Sequence, residues 1–121
     1  MAILENIEVW KKAVQLAKDI YVICKNNLHI KSDYGIRDQI QRSAVSIASN
    51  IAEGNDRETD KDYARFLYMA RGSCSELKTQ LYIIEEYLDT KDLEKSIIKI
   101  IEIHKMLNSL IKTIKNNIDK N

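Results

Sequence analysis

Tyr34 to Arg57 reads YGIRDQIQRSAVSIASNIAEGNDR, and this stretch decides the fold. Placed at about 100° per residue, Ile36, Ile40, Ala44, Ile47 and Ile51 share one helix face, which is the expected core row. Gln39, Ser43, Ser46 and Asn50 form an uncharged polar stripe on one side of it. Val45, Ala48 and Ala52 form an apolar flank on the other. Asp38 and Arg42 charge the remaining sector, and at four residues apart they are placed to pair with each other. A helix that is apolar or small nearly all round is buried nearly all round. Small residues allow close approach within one bundle. They equally suit a second subunit, and the expectation is that the stripe or its alanine flank meets one.

Working outward, the same periodicity marks three more helices. The first spans about residues 6–27, with Val9, Ala13, Leu16, Ile20 and Cys24 at three- and four-residue steps. Asn6 is its expected N-cap, and residues 28–32 form a connector before Ser32 or Asp33 caps the next helix. That second helix runs over about 34–53 and stops at Gly54-Asn55, residue types suited to a left-handed cap. Thr59 and Asp62 open the third, about 60–88, in a capping-box-like pattern. The fourth covers about 91–118, with Leu93, Ile97, Ile100, Leu107, Ile111, Ile114 and Ile118 on one face. Four long helices joined by short connections predict an all-α, antiparallel up-down-up-down bundle, one domain over residues 1–121.

Composition agrees. With no Pro and only three Gly in 121 residues, the chain lacks the turn chemistry of a sheet protein. Cys24 and Cys74 are too far apart for a CxxC metal or redox pair, and are expected as buried, reduced thiols. No basic start leads into an apolar run, and no stretch is long enough to span a membrane. The expected setting is the cytoplasm, with no membrane partner. A formal net charge of +1 gives no global nucleic-acid signal, so any such contact needs a local basic patch.

Association has further support. Ile103, Met106 and Leu110 form a second apolar row on the fourth helix, wider than one bundle face requires. Gly72 costs about 1 kcal/mol relative to Ala inside a helix, which predicts close approach of another backbone. The expected subunit contacts are therefore Gln39, Ser43, Ser46, Asn50, Gly72, Ile103, Met106 and Leu110 in a cyclic homo-oligomer. Glu53 opposes the dipole at a helix C-terminus, and is expected to accept from the start of the third helix or to pair with an Arg.

Chemistry is absent from the motifs. Neither His29 nor His104 follows a Glu by three residues, so the di-metal carboxylate pattern of helical bundles is missing. No phosphate-cradling loop or nucleophile elbow occurs. No catalytic residue, metal or cofactor is expected, and His104 is expected at the core boundary. The candidate nucleic-acid surface is Arg42, Arg57, Lys61 and Arg65, with Tyr68 one turn beyond Arg65 to stack on a base. Lys112, Lys115 and Lys120 add a basic C-terminal end, while Asp56, Glu58, Asp60 and Asp62 dilute the patch.

The blocks DQIQRSAVSIASNIAEGNDR, FLYMARGSCSEL and MLNSLIKTI, with Val9-Trp10 near the start, carry a resemblance. The chain closely resembles the four-helix-bundle family once labelled ribosomal protein S23, encoded in intervening sequences of bacterial 23S rRNA genes. That family includes the accessory variability determinant of diversity-generating retroelements. The resemblance spans essentially the whole chain and implies a barrel-like homopentamer. For the retroelement members it also implies binding of nucleic acid and of a reverse transcriptase. Two features depart from the pattern. Gln41-Arg42-Ser43 replaces a common Arg-Arg-Ala, and Ala48 stands where a Pro is frequent. The retroelement members are also strongly basic, unlike this chain. The expectation is a non-enzymatic homo-oligomer that holds rRNA or another structured RNA or DNA. An adaptor for a protein partner is the alternative.

Overall fold

The computed structural model describes residues 2–120, and no strand occurs among them. The helices are α1 (Glu8–Asn26), α2 (Leu28–Ser32), α3 (Tyr34–Asn55), α4 (Asp60–Ile83) and α5 (Thr90–Asp119). Leu4–Asn6 and Glu85–Tyr87 wind into 3₁₀ turns. The four long helices are those expected from the periodicity. Their inward rows bury Leu16 and Ile20 of α1, Ile40, Ile47 and Ile51 of α3, Leu67, Leu77 and Leu81 of α4, and Ile100, Ile103 and Leu107 of α5. α3 packs on α1 and α4, and α5 packs on α4 and α1, so the bundle closes around one apolar core.

Side chains start the helices by occupying donors that a first turn leaves free. Asp33 accepts the Ile36 N–H at 3.2 Å, and Thr59 accepts that of Asp62 at 3.2 Å. Asp89 accepts from Lys91 at 2.8 Å and from Asp92 at 3.4 Å. Asn6 does not cap α1, because residues 4–6 are already coiled and Ile7 takes that position without a side-chain bond. The expected connector 28–32 is itself a short helix, nucleated where Asn27 accepts the Ile30 N–H at 3.1 Å and pinned by the buried Ile30. The third long helix ends earlier than the periodicity suggests. Its last apolar residues turn into the 3₁₀ segment, whose Tyr87 carbonyl accepts from the Asn27 amide.

The two internal glycines exchange roles relative to expectation. α3 continues through Gly54 and Asn55, and no residue there is left-handed. Gly54 instead lies against α4: a Cβ at this position would sit 2.9 Å from Tyr63 Cδ1, 3.0 Å from Phe66 Cβ and 3.2 Å from the Tyr63 carbonyl oxygen. Gly72 is exposed, and a Cβ there would meet nothing within 4 Å. Close backbone approach is therefore the property of Gly54. The two alanine variants should move in opposite directions in urea unfolding. Gly72→Ala should add about 1 kcal/mol from helix propensity alone. Gly54→Ala should lose about 1–3 kcal/mol through overpacking against α4. Equal shifts would contradict the placement of α3 on α4.

Candidate interaction surfaces

The polar stripe of α3 turns inward. Ser43 Oγ donates to Glu76 Oε1 at 3.2 Å, and Ser46 Oγ lies 2.9 Å from Ser73 Oγ. Asn50 Nδ2 reaches both the Ser46 carbonyl and its Oγ at 2.9 Å. Ser43, Ser46 and Asn50 thus line the α3/α4 seam of one chain, and Ser43 and Asn50, expected as subunit contacts, are buried there. The small residues admit α4, and their hydroxyls and amide find partners there in Glu76, Ser73 and one another. Gln39 remains exposed at the end of the stripe. Ile103 is likewise a core residue, 1% exposed, and Met106 and Leu110 are half-buried against that core. α5 meets α1 as well as α4, so its wide apolar arc is used inside the bundle.

Turning the stripe inward leaves the other flank of α3 outside. Val45 is 39% exposed, and Ala48 and Ala52 are half-buried. Val45 and Ala48 border a groove of about 400 Å³ whose opposite wall is Val14, Ala17 and Tyr21 of α1. Lys18 is the one charged residue on its lining. Val22, next to Tyr21, is 56% exposed. Two other local expectations change. Asp38 pairs with Arg37 at 3.5 Å rather than with Arg42. Glu53 is exposed and makes no ion pair among the described residues, because α3 runs on past it and its side chain stays in solvent.

The basic residues chosen from sequence are only partly brought together. Arg57 and Arg65 both stack on the buried Phe66, at 4.6 and 4.7 Å, and Arg65 also approaches Asp62 at 3.8 Å. Lys61 is exposed one turn before Arg65. Arg42 stands on the outer side of α3, about 200° from the core residue Ile40, apart from this group. Tyr68 belongs to a different set. Its ring carries Arg71 at 4.8 Å and Lys115 at 5.8 Å. Cation–π pairs of this kind hold both cations near the ring.

From Tyr68 a basic row follows the α4/α5 seam. Arg71 donates to Asn108 Oδ1 at 2.9 Å, and Asn108 Nδ2 lies 3.3 Å from His104 Nδ1. Beyond them a cleft of about 450 Å³ opens between Ser75 and Lys78 of α4 and Ile101, His104, Lys105 and Asn108 of α5. Cys74 and Ile100 form its floor. Arg71, Lys78, Lys105, Lys112 and Lys115 make no ion pair among the described residues. Two carboxylates of these helices are drawn elsewhere. Glu102 reaches Lys12 of α1 at 2.7 Å, and Glu76 takes the Ser43 hydroxyl. Sequence reasoning identified Tyr68, Lys112 and Lys115 but missed Arg71, Lys78, His104, Lys105 and Asn108. Their signal was present as rows free of acids, 68-71-75-78 and 101-105-108-112-115, each at helical spacing.

Among the described residues neither histidine forms an ion pair with a carboxylate. Glu102 points to α1 rather than toward His104, and His29 stacks on Tyr87 at 4.8 Å. Among the described residues no group of three or more His, Cys, Asp or Glu side chains could hold a metal ion. No helix of the described residues is long and apolar enough to cross a membrane. Cys24 and Cys74 are free and buried. Burial raises both thiol pKa values, that of Cys74 to about 12, so at neutral pH the floor of the cleft is a protonated, unreactive thiol.

The comparisons with known proteins agree with this architecture. Residues 5–109 match the family described as 23S rRNA-intervening sequence protein. The chain belongs to that family. It is also similar to a crystal structure described as a protein with unknown function from the S23 ribosomal protein family of Bacteroides thetaiotaomicron VPI-5482. The two share 27% identity with a TM-score of 0.80, over 86% of this chain and 98% of the other. No curated protein matches the chain. The thiols offer a direct check on the core. A disulfide reagent at pH 8 should label neither cysteine in the native protein and both after guanidinium unfolding. Rapid native labelling would contradict their burial.

Proposed function

We propose that this family member is a non-enzymatic, self-associating four-helix bundle of the cytoplasm that holds structured RNA or DNA along its α4/α5 face. One observation carries the reading: five cations of α4 and α5 make no ion pair among the described residues, two of them on Tyr68, which is 37% exposed, and two at the adjoining cleft. Uncompensated cations in a row attract phosphates and release their counterions, although the whole chain carries a formal charge of only +1. An exposed aromatic ring among them adds a stacking surface that phosphates alone do not need. The resemblance implies five copies, and repetition of a modest patch around a ring turns weak contacts into avidity.

Filter binding to a structured RNA and to duplex DNA over a salt series tests the reading. Affinity should fall steeply with salt, and Lys105→Gln or Lys112→Gln should each reduce the slope by about 1. Arg42→Gln, on the far side of α3, should leave the slope unchanged. No binding at low salt sinks the proposal.

The apolar flank between α1 and α3 supports self-association and also favours the second reading, an adaptor whose partner is another protein. Tyr21 and Val45 expose apolar surface on a groove whose lining has a single lysine. Clustered apolar exposure of this sort marks a protein contact. In our reading the contact is a second copy of the chain. Light scattering after size exclusion at micromolar concentration should give a multiple of the chain mass. Val45→Asp should reduce it to a single chain without unfolding the helices. A wild-type monomer would leave the flank to a different protein.

A further inference from the structure

We infer that the cleft between α4 and α5 accepts one unpaired nucleotide presented by a structured nucleic acid. The inference rests on the reading of that face as the nucleic-acid surface and specifies what it selects. A surface that gripped only a duplex backbone would need cations alone. This one surrounds an apolar recess: Ile101, 38% exposed, and the buried Cys74 lie between Lys78 and Lys105. Its volume of about 450 Å³ falls within the range of small-ligand pockets. The flat apolar face of a base fits Ile101, and the two lysines at the rim are placed for the phosphates on either side of that base.

The recess also contains groups able to read a base edge. Asn108 is held from both sides, accepting from Arg71 and lying beside His104 Nδ1, so its amide is oriented before any ligand arrives. It keeps an N–H and a lone pair for a base, since a carboxamide offers two donors and two acceptor positions. The Ser75 hydroxyl lines the same recess. Along the seam, Arg71, Lys112 and Lys115 extend the cationic row toward Tyr68, where the strand on one side of the nucleotide can continue. A paired base reaches such a recess only by losing its stacking and pairing, whereas a bulged base has little of either to lose.

The experiment compares one RNA hairpin carrying a single-nucleotide bulge with the same hairpin fully paired, by filter binding at fixed salt. Wild-type protein should bind the bulged hairpin about tenfold or more tightly, the size of one base stacked on a protein surface. Ser75→Trp, which fills the recess from an exposed helix position, should abolish the preference for the bulged over the paired hairpin. Binding of the paired hairpin also reports that the variant is folded. Equal wild-type affinities, or a preference that survives Ser75→Trp, overturn the inference while leaving the nucleic-acid reading intact. Failure to bind either hairpin removes that reading itself. Adenosine monophosphate at micromolar concentration should not displace the bulged hairpin, and displacement would overturn the inference by assigning the cleft to a free nucleotide.

Discussion

The close approach of α3 to α4 is the constraint on which the rest of the structure depends. Gly54 allows it at one end, where Tyr63 and Phe66 occupy the space that a side chain would need. Ser43, Ser46, Asn50 and Ser73 allow it farther along, because Ser46, Asn50 and Ser73 satisfy one another inside the seam and Ser43 donates to Glu76. A buried hydroxyl left without a partner costs more than a made hydrogen bond contributes. The seam therefore favours the rotation of α3 about its own axis in which these groups are both buried and paired.

That rotation determines what the chain presents to its surroundings. With the polar stripe inside, the flank of Val45, Ala48 and Ala52 faces outward beside Val14, Ala17 and Tyr21 of α1. The charged residues follow the same logic at the other seams. Lys12 with Glu102, and Asp19 with Lys99, join α1 to α5. Exposed pairs of this kind contribute little stability. Their larger effect is on surface potential. They turn Glu102 toward α1, just as the Ser43 hydroxyl holds Glu76, and Lys78 and Lys105 are left without an ion pair among the described residues. A chain that is nearly neutral overall thus places both at one cleft.

Much of this was legible in the residues. The four long helices followed from apolar spacing, and Asp33 and Thr59 were readable as caps because their side chains act on the next turn of the same helix. Inter-helix roles were harder. Gly72 looked like a contact glycine and lies open, while Gly54 looked like a cap and is the contact. Both inferences used local backbone preference, and the deciding quantity was the distance to a residue on another helix. Ile103 is a related case, because it sits in the chain's own core: the width of an apolar arc does not say how many neighbours a helix has within its own chain.

By itself the sequence determined the helical class, the core rows and the family, because periodicity and short-range capping act within about one turn of the chain. Tertiary structure decided which flank of α3 faces solvent and which basic residues share a surface. Arg71 and Lys78 meet Lys105, Asn108 and Lys115 only through the antiparallel register of α4 and α5. That register is set by side chains packing across the seam, and no spacing along a single helix encodes it.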